Sequence, residues 1–201
     1  MAGAHEHIEH AEHAEHAAHS NKNIALLIAV IALCLAFSET LGKSAQTAAL
    51  NYQIEASNLW NFFQAKNIRR TVTIVAAESA KSDALAATDP GQKEALAKQI
   101  DNWTKTAERY RTEPEAGGGK GEGTIELSRR ALEEQEKRDI ALARYHHYEV
   151  ASAAFQIGIV LCSAAVITSM MALAVIAGGL AVVGIAFTGI GLFAPHAVHL
   201  F

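Results

Sequence analysis

VASAAFQIGIVLCSAAVITSMMALAVIAGGLAVVGIAFTGIGLFAP, Val150 to Pro195, carries no charged residue, and Gln156 is its one large polar side chain. A helix needs roughly 20 mainly apolar residues to cross about 30 Å of hydrocarbon, and this stretch is about twice that long. It therefore holds two spans, 149–168 and 171–193, joined by a tight turn at TSMM, Thr168 to Met171. A second uncharged stretch, IALLIAVIALCLAF from Ile24 to Phe37, lies near the other end of the chain. Its apolar core of about 14 residues rises only about 21 Å as a helix. Continuing through Ser38 and Thr40 to Leu41 supplies the missing turn and brings Glu39 to the headgroup level, where a carboxylate reaches water. The expected first span is 24–41.

A cleaved signal peptide is the rival reading of that first stretch. It fits poorly, because Glu6, Glu9, Glu12 and Glu15 precede the apolar core with Lys22 as the only cation, whereas a secretory start is short and positive. Half of the 201 residues are hydrophobic and 19% are charged, with a formal net charge of -4. No single-signed run outside the tail suggests a nucleic-acid partner. Cys34 and Cys162 both fall inside apolar spans and are expected as reduced packing residues, with no disulfide.

Between the first and second spans lies a charged segment, 42–148, whose apolar residues recur at helical spacing. Leu41, Ala45, Ala48, Tyr52, Ala56, Leu59 and Phe63 step by threes and fours, and Ile68, Val72 and Val75 resume the pattern. No proline or glycine interrupts Lys43 to Asp89, so the first span is expected to leave the bilayer as one long helix. At TDPGQ, Asp89 suits an N-cap, Pro90 the first helical position and Gln92 the third position of a capping box. The helix so started carries Leu96, Ile100, Trp103, Ala107 and Tyr110, and stops at Pro114. PEAGGGKGEG, Pro114 to Gly123, is a flexible loop by composition. It is no phosphate loop, since Gly121 follows Lys120, and Gly42-Lys43-Ser44 has Phe37 where the motif requires glycine. From Thr124 the chain is helical again, with Glu126/Arg130, Glu133/Lys137 and Glu134/Arg138 spaced for ion pairs on a solvated face. This helix runs without a breaker into the second span. The expected fold is all-α: three transmembrane helices with an extramembrane antiparallel, coiled-coil-like helical domain between the first and second, a histidine- and glutamate-rich tail over 1–23 and a C-terminal tail over 194–201.

In lipid there is no hydrophobic drive between helices, so small side chains that let backbones approach mark packing faces. Ala25, Ala29, Ala32 and Ala36 form such a face on the first span. Ala151, Ala154, Gly158, Cys162, Ala165 and Ser169 form one on the second, and Ala177, Ala181, Gly184, Thr188 and Gly191 one on the third. These faces predict a packed bundle, within one chain or between copies, and the third is the candidate homo-oligomer interface together with Trp60 and Phe63. Gln156 and the edge residue Glu39 are the only strongly polar groups near membrane depth, which argues against a transporter. An oligomeric channel remains an alternative.

Three crossings place the histidines on two faces of the membrane. His7, His10, His13, His16 and His19 lie in the tail; His146, His147, His196 and His199 lie on the face that holds the helical domain. Histidines three apart on a helix drift by about 60 degrees per step, so neighbours can share zinc, nickel or copper but all of them cannot form one stripe. Glu6/His10, Glu9/His13, Glu12/His16 and Glu15/His19 instead suit pairing with protonated histidine as pH falls through about 6.5. YHHYE, Tyr145 to Glu149, and PHAVH, Pro195 to His199, offer a second set of nitrogen ligands, or simply aromatic anchors at the headgroup level. A solvated, titratable leader, a pH or metal sensor and a defined metal site are the readings of the tail. No catalytic arrangement stands out, so neither enzyme activity nor a required cofactor is expected.

The leader, the segment NYQIEASNLWNFFQAKNIRR from Asn51 to Arg70, the RYHHYEVASAAFQIGIVLCSAAVIT approach to the second span and the glycine-rich close together resemble the bacterial family known as domain of unknown function 4337. Trp60-Asn61-Phe62-Phe63-Gln64-Ala65-Lys66 is the most recognisable part, and the resemblance covers nearly the whole chain. It implies a three-span bacterial inner-membrane protein with a helical domain and no assigned activity. Basic residues before the first span and between the last two imply, in such relatives, a cytoplasmic N-terminus and a periplasmic domain. Here TSMM is uncharged and only Lys22 precedes the first span, while Lys43, Lys137, Arg138 and Arg144 favour the opposite orientation. The expected orientation is the family's, with lipid and further copies of the chain as partners.

Overall fold

The computed structural model describes the backbone of residues 2–113 and 121–197, and the side chains from Lys22 onward within those limits. Four helices account for nearly all of it: α1 (Ala2–Ala86), α2 (Pro90–Arg111), α3 (Thr124–Thr168) and α4 (Met171–Phe193). The described residues contain no strand. Three helices are long and apolar enough to cross a membrane, within Lys22–Ala86, Thr124–Thr168 and Met171–Phe193. The first is part of an unbroken α1 of 85 residues, as the lack of proline or glycine across 43–86 predicts. Its backbone is already helical through the histidine-rich tail.

Asp89 starts α2 as expected. Its backbone is extended (φ -77°, ψ 127°), its carboxylate accepts the Gln92 N–H at 2.8 Å, and Pro90 occupies the first turn, where its missing N–H costs nothing. Replacing Asp89 with alanine is expected to destabilise the helical unit by about 1 kcal/mol, read as a lower thermal midpoint by circular dichroism. α3 and α4 are joined through Thr168, Ser169 and Met170. Ser169 adopts φ 57°, a left-handed conformation that lets the chain reverse within the turn, and the Met170 carbonyl accepts the Leu173 N–H at 3.1 Å.

The chain forms two compact units, Met1–Ala49 with Asp139–Phe201, and Leu50–Arg138. The first packs Ile24 and Ile31 of α1, Ala151, Phe155, Cys162 and Ala165 of α3, and Ala174 and Ala177 of α4 into one core. Phe155 and Ile31 are its largest fully enclosed side chains. The second unit centres on Leu59, Leu127 and Ala131, with Trp60 and Phe63 packed against them. Along α1 covered positions recur every seven residues: Ile24, Ile31 and Ser38 in the first unit, and Leu59 and Lys66 in the second. A seven-residue recurrence keeps one seam of a helix against neighbouring helices over many turns.

The ends of α2 and α3 are tied together more closely than glycine-rich composition predicts. Pro114 to Lys120 lie outside the described residues, but Gly121 to Gly123 are held in place. The Glu122 N–H reaches the Glu113 carbonyl at 3.1 Å, the Glu113 N–H reaches the Glu126 carboxylate at 3.3 Å, and the Thr124 hydroxyl donates to the Arg111 carbonyl at 3.3 Å. A Cβ on Gly123 would sit 2.5 Å from the Glu113 nitrogen and 2.8 Å from the Arg111 oxygen, so only glycine allows this approach. The expected Glu126/Arg130 pair is thereby replaced: Glu126 serves the Glu113 N–H, while Arg130 reaches the Gly121 carbonyl at 3.5 Å. Glu133 likewise pairs with Arg129 at 2.6 Å, leaving Lys137 to Glu134 at 2.7 Å.

Candidate functional site

The small-residue faces of α3 and α4 meet each other. Ala151, Ala154, Gly158, Cys162 and Ala165 are buried on α3, while Ala177, Gly184 and Gly191 are buried and Ala181 and Thr188 half-buried on α4. The contact is closest where an aromatic ring faces a missing side chain. A Cβ on Gly184 would lie 2.6 Å from the Phe155 ring, and one on Gly191 would lie 2.8 Å from the Tyr148 ring. The Thr188 hydroxyl folds back onto the Gly184 carbonyl at 2.9 Å. The α4 face expected to meet a second copy is therefore occupied by α3 of the same chain. The α1 face is different: Ala25, Ala29, Ala32 and Ala36 are all exposed.

Several polar side chains in this unit are engaged with one another or with backbone. Ser38, fully buried, donates its hydroxyl to the Tyr148 carbonyl at 3.0 Å and so bonds α1 to α3. The Gln156 amide donates to the Glu39 carboxylate at 3.3 Å. Side chains on a helix lean toward its N-terminus. Glu39 thus reaches back along α1 to meet Gln156 of α3. His147 is buried at the α3–α4 contact, where Nε2 lies 3.0 Å from the Pro195 carbonyl and the ring packs on Phe187 at 6.1 Å. Nε2 is therefore the protonated nitrogen, and Nδ1 has no hydrogen-bond partner. His146 sits apart, with Nδ1 3.6 Å from a Glu149 oxygen, and His196 is exposed. No three histidine, cysteine or acidic side chains come together to hold a metal among the described residues. The side chains of His7, His10, His13, His16 and His19, and the whole of His199, lie outside them.

In the second unit, Trp60 and Phe63 turn into the core, edge to face, with ring centroids 5.4 Å apart. Lys66, one turn further, is nearly enclosed. Its ammonium lies 2.8 Å from Glu113, 3.6 Å from Glu122 and 5.4 Å from the Phe62 ring centre, which ties α1 to both sides of the α2–α3 connection. The Lys66 hydrogen bond, and then its charge, holds the Glu113 carboxyl below the usual range. A depressed carboxyl contributes stability above its unfolded pKa and loses it as pH falls through the folded value. Glu113→Gln is accordingly expected to lower the melting temperature near neutral pH and to flatten its decline below about pH 4.5. Periodicity alone does not mark Lys66 as an anchor, since a lysine at a covered position is legible only once its acidic partners are placed by the fold.

These features define a class: an all-helical protein with three apolar helices of membrane-crossing length and a charged helical segment between the first two. The chain belongs to the family described as domain of unknown function DUF4337, which matches residues 20–194. No curated protein and no solved structure matches it.

Proposed function

We propose that this chain is a non-enzymatic, multi-pass protein of a bacterial inner membrane that works by assembly, as a homo-oligomeric structural or interaction protein. Segment 42–148 would form an antiparallel, coiled-coil-like helical domain on the periplasmic side. The observation that carries this reading is the fate of the small-residue faces. Those of α3 and α4 are used up within the chain, while Ala25, Ala29, Ala32 and Ala36 of α1 stay uncovered. In lipid such a face gains little from the acyl chains and more from close contact with another helix. The engagement of Ser38, Glu39, Gln156 and the Nε2 of His147 in structural contacts supports a packing role for the polar groups of the spans over a chemical one. No cofactor is assigned to it.

Two measurements test the reading. The protein should resist alkaline carbonate extraction, and its mass in detergent or nanodiscs should be a multiple of 21.4 kDa. A monomeric mass would count against assembly, and a steady conductance in a reconstituted bilayer would favour a channel. Sidedness is read at Leu85, whose side chain is exposed at the end of α1. Leu85→Cys should react with a membrane-impermeant maleimide on intact spheroplasts, and protection until lysis would place the domain in the cytoplasm.

A further inference from the structure

A cleft of about 190 Å³ opens between α1 and α2, inside the unit Leu50–Arg138. On α1 its lining residues Arg70, Ile74, Ala77 and Lys81 step by fours and threes, so they share one face, with Glu78 beside them. α2 supplies Trp103 and Ala107, one turn apart, flanked by Thr104 and Glu108. Ala77 and Ala107 are the buried members of this lining, and their methyl groups leave open the space that larger side chains would fill. Ile74 and Trp103, both half-buried, add apolar wall. Pockets for drug-sized ligands run from about 300 Å³ upward, so the cleft suits a smaller molecule.

The charged groups around this cleft are left open in a definite pattern. Arg70 is half-buried, its Nε is shut off from solvent without a hydrogen-bond partner, and among the described residues no carboxylate or carbonyl meets its guanidinium. A sheltered arginine is ordinarily paired, because its donors otherwise lose water without gaining an acceptor. Two carboxylates line the same cleft and neither reaches it. Glu108 is taken by Arg111 at 3.1 Å. Glu78 has no ion-pair partner among the described residues, and neither has Lys81. A guanidinium receives a carboxylate through two parallel hydrogen bonds, and that fork is unfilled at Arg70. A dianion such as phosphate would gain the fork but face Glu78 and Glu108 across a small space. An occupant that also carries an ammonium turns Glu78 from a repulsive group into a partner, and an apolar substituent on it would lie against the Trp103 indole.

We propose that this cleft binds a small zwitterion of the free amino-acid class, with its carboxylate on Arg70, its ammonium on Glu78 and its side chain against Trp103. The site stands apart from the assembly reading above, since every residue in it belongs to one chain. The test uses the full-length protein in detergent, titrated with each of the common L-amino acids and, separately, with acetate, inorganic phosphate and methylammonium. Calorimetry reads binding, and tryptophan emission reads contact at Trp103, so Trp103→Phe should abolish the emission change. At least one amino acid should bind saturably, about tenfold or more tighter than acetate or phosphate. Arg70→Gln should weaken that binding by about tenfold or more, and Glu78→Gln should do the same while leaving acetate binding unchanged. Arg69→Gln, at an exposed neighbour outside the cleft, should bind as the unmodified protein does. Circular dichroism and the thermal midpoint report whether each variant folds. Glu78 is exposed, so Glu78→Gln leaves the core intact and decides the matter if Arg70→Gln does not fold. The absence of a saturable response to any amino acid overturns the proposal. So does an affinity unchanged by Glu78→Gln and Arg70→Gln, which places the ligand elsewhere. Acetate or phosphate binding as tightly as any amino acid leaves a plain anion site at Arg70 and overturns the zwitterion.

Discussion

Replacing Gly184 with leucine is expected to destabilise the three-helix unit by about 3 kcal/mol or more, at the upper end of what overpacking costs. The Cβ alone would fall 2.6 to 2.9 Å from three atoms of the Phe155 ring, and that ring is fully enclosed and has nowhere to move. The measurement is the thermal midpoint of the detergent-solubilised protein. Gly178→Leu and Gly179→Leu are the controls, because a Cβ at either position meets nothing within 4 Å. Phe155→Ala should itself cost about 3–5 kcal/mol by leaving a cavity. Combined with Gly184→Leu it should cost clearly less than the sum of the two, since each change relieves the other. If Gly184→Leu melts with Gly179→Leu, the α3–α4 contact described above is wrong.

The second large effect belongs to the unit Leu50–Arg138. Leu127 is fully buried with Ala131 against Leu59, Trp60 and Phe63, so Leu127→Ala removes the side chain that fills the centre of the smaller core. About 2–5 kcal/mol of stability should be lost. Leu132→Ala, on the exposed side of the same helix, should change it by no more than about 0.5 kcal/mol. Urea-unfolding curves separate the two, with the Trp60 and Trp103 fluorescence as signal. Equal effects would mean that α3 presents a different face to α1.

Much of this architecture is readable before any coordinates exist, for definite reasons. α3 ends at Thr168, where Thr168 and Ser169 interrupt the apolar run, and α4 ends at Phe193, just ahead of Pro195, which cannot continue a helix. Asp89 and Pro90 announce α2 because capping is a local hydrogen bond, made at 2.8 Å by residues three apart. Glu126 shows the opposite case. A spacing of four from Arg130 suggests a pair worth a few tenths of a kcal/mol, and a tertiary contact with the Glu113 N–H outweighs it. Lys66 and Glu113, 47 positions apart, and Ser38 and Tyr148, 110 apart, carry no mark of their meeting in the sequence.

What the amino-acid sequence determined is everything that depends on near neighbours along the chain: helix, cap, breaker, apolar length, and the existence of three small-residue faces. Only the tertiary structure decided which of those faces are used. Ala151 to Ala165 and Ala177 to Gly191 close on each other around Phe155, while Ala25 to Ala36 remain open. The reason is geometric, because a stripe of small residues states that some backbone can come close, and the identity of that backbone depends on how far and in which direction the rest of the chain has been carried.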